Sequence, residues 1–370
     1  MIIILDDIST LITKTINYDK NLLECLKIGK REIGKDGHVF IIAEAGVNYN
    51  NKLSLAYKMI DQASKAGADA IKFQTFIADE IQLKNSTNPK YFKNKKGKKF
   101  NNIVENLQPS FEDQEKLIKY CKQKNILFLS TPYDKTSVDF LKKIGIKAFK
   151  ISSSDTTNHQ FLEYVAKNRM PIILSTGMSE SIHVDQAVKL LKSKGMKNNL
   201  ILLQATSDYP TPNEDVNIRV ITTFQKKYKI PIGLSDHTSD FVASLGAVAL
   251  GASVVEKHFT LSRTLSGPDQ AASLEPHELT EWIAKIRLME KSLGSKTKFV
   301  TKSEKENLSM RKILVVKPIK KGTKITKDML LTLRGNDKGI LPLNSNIKKI
   351  VGKKIKKDIR SKKQFSWNMV

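Results

Sequence analysis

Short apolar runs alternate with stretches of helical periodicity eight times between residue 39 and about residue 293, and few folds accept such a chain. The apolar runs fall at 39–45, 70–75, 127–131, 148–153, 171–176, 200–206, 231–237 and 253–259. Helical periodicity fills the gaps at 53–66, 111–124, 136–143, 158–168, 182–194, 217–227, 241–250 and 275–293. The runs are apolar almost throughout, as strands are when both faces of a parallel sheet are covered. Eight strand–helix units in this length predict an α/β chain closed into a (β/α)8 TIM barrel rather than an open doubly wound sheet.

Such a barrel gathers its chemistry at the C-terminal ends of its strands. The polar residues of this chain sit there: Glu44, Lys72 with Gln74, Ser130-Thr131, Lys150 with Ser152-Ser153, Ser175-Thr176, Thr206-Ser207, Ser235 to His237, and Glu256 with His258. A charge inside an apolar strand is costly unless it is paired or used, so Lys72, Lys150 and Glu256 carry the most information. Two lysines flanked by hydroxyls and backbone amides make an anion site. His237 and His258 end consecutive strand-like runs, and neighbouring strands lie roughly 5 Å apart, so both imidazoles can reach one ion. Histidines beside acidic residues suit a divalent metal, Mn²⁺ or Mg²⁺, with open positions that polarise a carbonyl. An anion site beside such a metal points to carbon–carbon bond formation or cleavage. Spacing leaves aldolase, lyase and condensing synthase all open. His38, His159, His183 and His277 fall in turns or helices and read as surface residues.

The chain of 370 residues is long for one domain. Residues 1–28 precede the barrel without an assigned role, 29–293 form the barrel, 294–309 read as a polar linker, and 310–370 form a small β-rich module. That module shows a strand at 313–316, a turn at 320–322 and a short helix at 326–330. Its core is too small for comfortable independence, which favours docking onto another surface. An insertion at 83–109, rich in Lys and Asn, projects on the active-site side and reads as a lid.

The net charge of +26 raises the question of nucleic acid. Only eight of the 63 basic residues are Arg, the residue that sequence-specific readers rely on, so no nucleic-acid partner is expected. The surplus Lys reads as a solvated surface that can draw anionic substrates inward. No apolar run approaches the ~18 residues of a membrane span. Cys25 and Cys121 form no disulfide or metal pattern, which suits a cytoplasmic protein.

Nine ordered motifs then carry a resemblance. They are Phe40-Ile-Ile-Ala-Glu-Ala-Gly-Val-Asn48, Ile71-Lys-Phe-Gln-Thr75, Ser130-Thr-Pro132, Phe149-Lys-Ile-Ser-Ser153, Leu174-Ser-Thr-Gly-Met178, Thr206-Ser-Asp-Tyr-Pro-Thr-Pro212, Gly233-Leu-Ser-Asp-His-Thr238, Glu256-Lys-His-Phe259 and Gly267-Pro-Asp269. Together, over roughly residues 28–360, they resemble the sialic acid synthase family, which includes legionaminic and pseudaminic acid synthases. The resemblance implies condensation of phosphoenolpyruvate with an N-acetylmannosamine-type sugar aldehyde to a nonulosonic acid, with phosphate released. It implies His237 and His258 as metal ligands, and Lys72, Thr131, Lys150, Ser153, Ser175, Ser207 and Ser235 as holders of phosphoenolpyruvate. It places Glu44, Gln74, Asp155, Tyr209 and Asp269 along the sugar site, with Glu44 or Glu256 moving protons. It makes the last module an antifreeze-like (SAF) domain presenting Arg334 to the N-acetyl group of the partner's substrate in a domain-swapped homodimer. The nearest alternative is an N,N'-diacetyllegionaminic acid synthase acting on 2,4-diacetamido-2,4,6-trideoxymannose; the stretch 267–276 leans away from the pseudaminic relative. A non-catalytic carbohydrate- or ice-binding protein is disfavoured by the intact Lys72, Lys150, His237 and His258. Two departures stand out: Gln204-Ala205 where His/Gln-Cys is usual, and Gln270 where His is common.

Overall fold

The structure, a computed structural model, describes residues 25–34, 37–82, 100–306, 309–335 and 338–370, with only the backbone of 100–103. The proposed lid at 83–109 lies outside this set up to residue 99. Residues Phe100–Leu107 form a helix. Of the unassigned first segment, residues 1–24 also lie outside it. The chain divides into two compact units, Met1–Gly294 and Ser295–Val370.

The first unit is a closed eight-stranded parallel barrel. Its strands are β3 (Phe40–Gly46), β4 (Ala70–Thr75), β5 (Leu127–Pro132), β6 (Phe149–Ile151), β7 (Ile172–Ser175), β8 (Leu200–Ala205), β9 (Ile232–Asp236) and β10 (Val254–His258), with β10 closing on β3. Strand order therefore follows chain order, as the repeated strand–helix pattern requires. The helices end where the sequence supplies caps. Ser110, Asp134 and Asn158 each accept a bond from a backbone N–H of the helix that follows. Gly67, with φ 87°, closes Leu53–Ala66 in the left-handed conformation that glycine adopts without strain.

Side chains alternate across every strand. Outward residues such as Ile41, Ile71, Leu174, Leu202, Ile232 and Val255 are buried beneath the helices in the main core. Inward residues make a second cluster low in the barrel, including Phe40, Ile42, Leu129, Ile173, Ile201 and Val254. A two-stranded antiparallel hairpin, β1 (Leu26–Ile28) and β2 (Arg31–Ile33), joins that cluster through Leu26, Ile28 and Ile33. Position 28 thus belongs to the hairpin that plugs the barrel floor, which gives the end of the opening segment a role. Asp69 pins the plug: it pairs with Arg31 at 3.0 Å and with Arg287 of the last barrel helix at 3.0 Å.

β6 is shorter than the expected 148–153. Ser152 accepts from Ser154 N–H, turning Ser153–Asp155 into a 3-10 turn. Ser153 therefore sits beyond the strand, on the barrel rim.

The second unit pairs β11 (Arg311–Val315) with β12 (Leu330–Arg334) antiparallel. Isolated bridges Leu314–Gln364, Ile319–Ile359 and Lys324–Lys354 tie its remaining segments together. Its small core contains Ile313, Val315, Ile319, Ile325, Ile350, Ile359, Phe365 and Met369. The helix expected at 326–330 is a single 3-10 turn, Lys327–Met329, and a helix at Asn344–Ile350 joins it.

Ile28 is fully buried in the floor plug, away from the rim. Ile28→Ala should cost roughly 2–5 kcal/mol of stability in urea denaturation, the range for emptying such a site. Steady-state turnover should stay near the parent value; a loss of turnover in the folded variant would show that the floor matters to the rim.

Candidate active site

Strand register brings the charged residues together. Glu44 lies beside Lys72, Gln74 beside Thr131, Glu256 beside Ser235, and His258 beside Glu44 around the closure of the barrel. The ladder slips between Glu44 and Gly46, and Gly46 takes a left-handed φ of 51°. A Cβ on Gly46 would meet Glu44 Oε1 at 3.2 Å. Glycine there permits the bulge that turns the strand end at Glu44.

The side chains line a cavity of about 440 Å³ at the C-terminal rim, a size suited to a small ligand. Fourteen of the sixteen residues singled out from the sequence line it: Glu44, Lys72, Gln74, Thr131, Lys150, Ser153, Ser175, Ser207, Tyr209, Ser235, His237, Glu256, His258 and Asp269. Asp155 lies just outside, buried and accepting from Asn158 Nδ2 at 3.0 Å. Arg334 ends β12 in the second unit.

Four charges meet at the cavity floor. Lys72 Nζ lies 2.7 Å from Glu44 Oε2 and 3.8 Å from Glu256 Oε2, and donates to Thr131 Oγ1 at 3.3 Å. Lys150 Nζ lies 3.4 Å from Glu256 Oε1 and donates to Ser175 Oγ at 2.7 Å. Ser235 Oγ donates to Glu256 Oε1 at 2.8 Å. All four charged side chains are at most 4% exposed. Burial would raise the Glu256 pKa, but Lys150 and Lys72, with the Ser235 bond, hold it down at about 2. Burial pushes Glu44 up to about 7, against the pull of Lys72 and with a push from Glu256. For Lys72, burial opposes the charge, but Glu256 and Glu44 outweigh it and raise its pKa. Burial lowers Lys150, despite Glu256.

The histidines sit above this quartet. Their ring centroids lie 5.5 Å apart, and Tyr209 packs against both, at 4.2 Å from His237 and 5.3 Å from His258. Nδ1 of His237 lies 2.6 Å from the Thr206 carbonyl, an acceptor only, so Nδ1 carries the proton and Nε2 the lone pair. Burial lowers the His237 pKa to about 4 and the His258 pKa well below its ordinary value, so both rings are neutral near pH 7. His258 Nδ1 is buried without a hydrogen-bond partner among the described residues, 3.8 Å from Asp269 Oδ2. Two neutral imidazoles, one with its Nε2 lone pair 3.3 Å from Ser235 Oγ, whose proton goes to Glu256, and the other with an orphaned Nδ1, fit the donor chemistry of a divalent cation. No group of three His, Cys, Asp or Glu converges for ion binding among the described residues.

A cradle of a different kind surrounds Gly177. Its N–H donates to Ser153 Oγ at 2.9 Å, and a Cβ there would come within 2.3 Å of Ser207 Oγ. Only glycine lets these hydroxyls crowd a backbone amide.

With this geometry, the comparisons have a site to bear on. The model of the NeuB family matches residues 59–298, and that of the SAF domain matches residues 312–370. The chain belongs to the NeuB family. It is 41% identical to the N,N'-diacetyllegionaminic acid synthase of Campylobacter jejuni over 86% of this chain and 97% of that one. It is 38% identical to the human N-acetylneuraminate-9-phosphate synthase over 88% of this chain and 90% of that one. The crystal structure of an N-acetylneuraminic acid (sialic acid) synthetase from Leptospira borgpetersenii, solved with citrate, superposes with a TM-score of 0.69 at 36% identity, covering 77% of this chain and 95% of that one. This NeuB-family chain is thus an enzyme, a sialic acid synthase-like transferase, built as a TIM barrel followed by a SAF domain. Among the described residues, no helix is long and apolar enough to cross a membrane.

Sequence reasoning missed part of the wall. Val47, Phe76, Ile81, Val104, Leu107 and Met178 add apolar side chains to the cavity lining, and Tyr133 joins them. In the sequence they read as ordinary core or loop residues; the signals were that Val47 and Met178 fall inside the motifs 40–48 and 174–178 and that Tyr133 follows Ser130-Thr-Pro132. The two departures from the family pattern both serve as braces. Gln204 Nε2 donates to Val216 O at 3.0 Å. Gln270, 1% exposed, accepts from Thr260 Oγ1 and donates to Asn48 O at 2.8 Å.

Glu44 gives a pH-dependent prediction. The folded chain keeps its Glu44 proton up to about 7, whereas an ordinary glutamate loses it near 4.5. Between those values the folded state binds more protons than the unfolded one, so the Glu44 contribution to stability falls as pH rises. Glu44→Gln should therefore gain stability relative to the parent as pH climbs from about 4.5 to about 7. Urea midpoints across that range read the change; a difference that stays constant with pH would contradict the raised pKa.

Proposed function

We propose that the enzyme condenses phosphoenolpyruvate with an N-acetylmannosamine-type sugar, forming a carbon–carbon bond and a nonulosonic acid while a C–O bond breaks to release phosphate. The observation that carries this reading is the convergence of Lys72, Lys150, His237 and His258 on one cavity. The names of the Campylobacter, human and Leptospira relatives support the reaction class.

In this reading Lys150 with Ser175, and Lys72 with Thr131, hold the phosphate and carboxylate of phosphoenolpyruvate. The hydroxyls of Ser153, held by Gly177 N–H, of Ser207 and of Ser235 add oriented polar contacts. This fixed placement serves the attack of its C3 carbon on the sugar aldehyde, where alignment is worth much of the barrier. Positive charge develops at C2 as the bond forms, and the ionised Glu256 lies among the same lysines to stabilise it. Water adds at C2, and Glu44, with its pKa near neutrality, takes its proton at a carboxylate oxygen and passes it to the former aldehyde oxygen, while the remaining C2 hydroxyl proton leaves with phosphate as the ketone forms. The tetrahedral intermediate then loses phosphate. His237 through Nε2 and His258 would hold a divalent cation, Mn²⁺ or Mg²⁺, which when bound polarises the aldehyde carbonyl. Gln74, Asp155, Tyr209 and Asp269 serve the sugar, and Arg334 reaches the N-acetyl group of the partner's substrate in a domain-swapped homodimer.

A second reading assigns 2,4-diacetamido-2,4,6-trideoxymannose as the acceptor. The apolar wall of Val47, Phe76, Ile81 and Leu107 favours it, because a deoxygenated carbon and a second acetyl methyl suit an apolar surface better than hydroxyls do. Phosphate release measured with phosphoenolpyruvate and each sugar in turn separates the readings. The faster substrate names the acceptor, and no phosphate from either sugar would sink the proposed reaction. In the same assay Arg334→Ala should raise the sugar KM about tenfold, the loss of roughly one charge-assisted contact; an unchanged KM would remove Arg334 from the sugar site.

His237→Ala should lower kcat by about 10³-fold, several kcal/mol of lost carbonyl polarisation, and abolish stimulation by added Mn²⁺ or Mg²⁺. Full activity in chelator-treated His237→Ala would overturn the assignment of the two histidines.

A further inference from the structure

The outer face of the same two strands carries a second pair of charges that the reaction does not use. Asp236 precedes His237 and Lys257 precedes His258, and the two are register partners in β9 and β10. Because side chains alternate, the histidines point into the cavity while Asp236 and Lys257 point into the layer under the helices. That layer is mostly apolar, with a few buried hydroxyls such as Ser244. Lys257 Nζ lies 3.1 Å from Asp236 Oδ1, with side chains 1% and 0% exposed.

The bonds around this pair bracket His237. Lys257 Nζ also donates to the Thr238 carbonyl at 2.7 Å and to Thr238 Oγ1 at 3.3 Å. Asp236 Oδ1 accepts from Thr238 N–H at 2.9 Å and from Thr238 Oγ1 at 2.8 Å. Asp236 Oδ2 accepts from Ser244 Oγ, on the helix Val242–Ala249. β9 ends at Asp236, so His237 stands just past the strand, where fewer sheet bonds fix it. Lys257 holds the residue on each side of it and belongs to the strand that carries the other histidine. A buried ion pair is seldom worth more than a well-packed apolar pair of the same volume. Its distinctive contribution here is direction: it ties the two histidine-bearing strand ends to each other.

We propose that Asp236 and Lys257 are positioning residues, a buried clasp that sets the separation and orientation of His237 and His258. The consequence for metal affinity rests on the reading of those histidines as ligands; the consequence for ring geometry does not. Partners one layer behind metal ligands typically change affinity by about 10–100-fold when lost.

The test uses the double variant Asp236→Asn/Lys257→Met in the full chain, which removes both charges together at nearly constant volume. Binding of Mn²⁺ alone is followed by loss of the free-ion electron paramagnetic resonance signal, folding by circular dichroism, and phosphoenolpyruvate binding by calorimetry. The expected result is a folded protein whose Mn²⁺ affinity falls about 10–100-fold while phosphoenolpyruvate, gripped by Lys72, Thr131, Lys150 and Ser175 of other strands with Ser235 alone from β9, binds within a few-fold of the parent. A folded double variant with parental Mn²⁺ affinity would overturn the clasp. So would an equal loss of both ligands, which marks general loosening. Should the double variant not fold, Ser244→Ala decides, since it loosens Asp236 but leaves the charges paired: a several-fold loss of Mn²⁺ affinity supports the clasp, and parental affinity refutes it. If the parent itself binds no Mn²⁺, the ligand reading fails separately. The clasp is then judged on metal-free crystals of the double variant, or of Ser244→Ala where the former does not fold: displaced histidine rings support it, and rings still near 5.5 Å apart overturn it.

Discussion

The carboxylate of Glu256, held between Lys72 and Lys150, is the interaction on which the cavity depends. Inside an apolar barrel a lone ammonium or carboxylate would shed its charge rather than remain desolvated. Here each group keeps its charge because its neighbours supply the field that water would otherwise provide. The arrangement also divides labour between two like groups. Glu256, against both lysines, stays ionised, while Glu44, equally buried but paired chiefly with Lys72 and facing Glu256, moves towards neutrality. Two carboxylates a few ångströms apart thereby acquire different protonation states, as acid–base chemistry at one pH requires.

The barrel makes this possible by closing. An open sheet would leave β3 and β10 on opposite edges, and the contact between Glu44 and the β10 end would not exist. Closure puts His258 in register with Glu44, and with it the last strand of the chain against the first. The TIM barrel itself specifies no reaction, since the fold carries many chemistries. The polar set at the rim narrowed the chemistry to carbon–carbon bond formation or cleavage, and the relatives named as synthases supplied the reaction class.

The two faces of β9 and β10 show how closely support and chemistry are interleaved. Within two three-residue stretches the chain places Ser235, His237, Glu256 and His258 inward and Asp236 and Lys257 outward. Substitutions on the outer face would therefore be felt at the inner one, because a strand end rotates as a unit. The apolar part of the cavity wall is braced by backbone bonds instead: Ile77 N–H donates to Asp134 Oδ2 and Ala78 N–H to Gln108 Oε1, each at 2.8 Å. It draws on short helical segments after β4 and on the loop at Met178, elements whose packing is more free to vary between relatives with different acceptors.

Much of this was legible in the sequence because the barrel repeats a simple rule. Eight apolar runs separated by helical periodicity fixed the topology, and polar residues at the run ends marked the rim, since buried strands tolerate charge nowhere else. The rest resisted for physical reasons. Phe76, Ile81, Val104 and Leu107 carry no polar signal that separates a cavity wall from a core. Gly177 looks like any turn glycine until Ser153 and Ser207 close over it. Lys257 read merely as part of a motif, because nothing in one sequence tells which face of a strand a side chain takes or that Asp236 and Thr238 wait there. Periodicity alone thus determined the barrel and the inventory of reactive groups, because it encodes the order of strands and helices and the polar ends of the apolar runs. Only the tertiary structure decided which charges share a neighbour, because distances between residues remote in the chain are set by closure and packing, and with them every pKa and every pairing at the site.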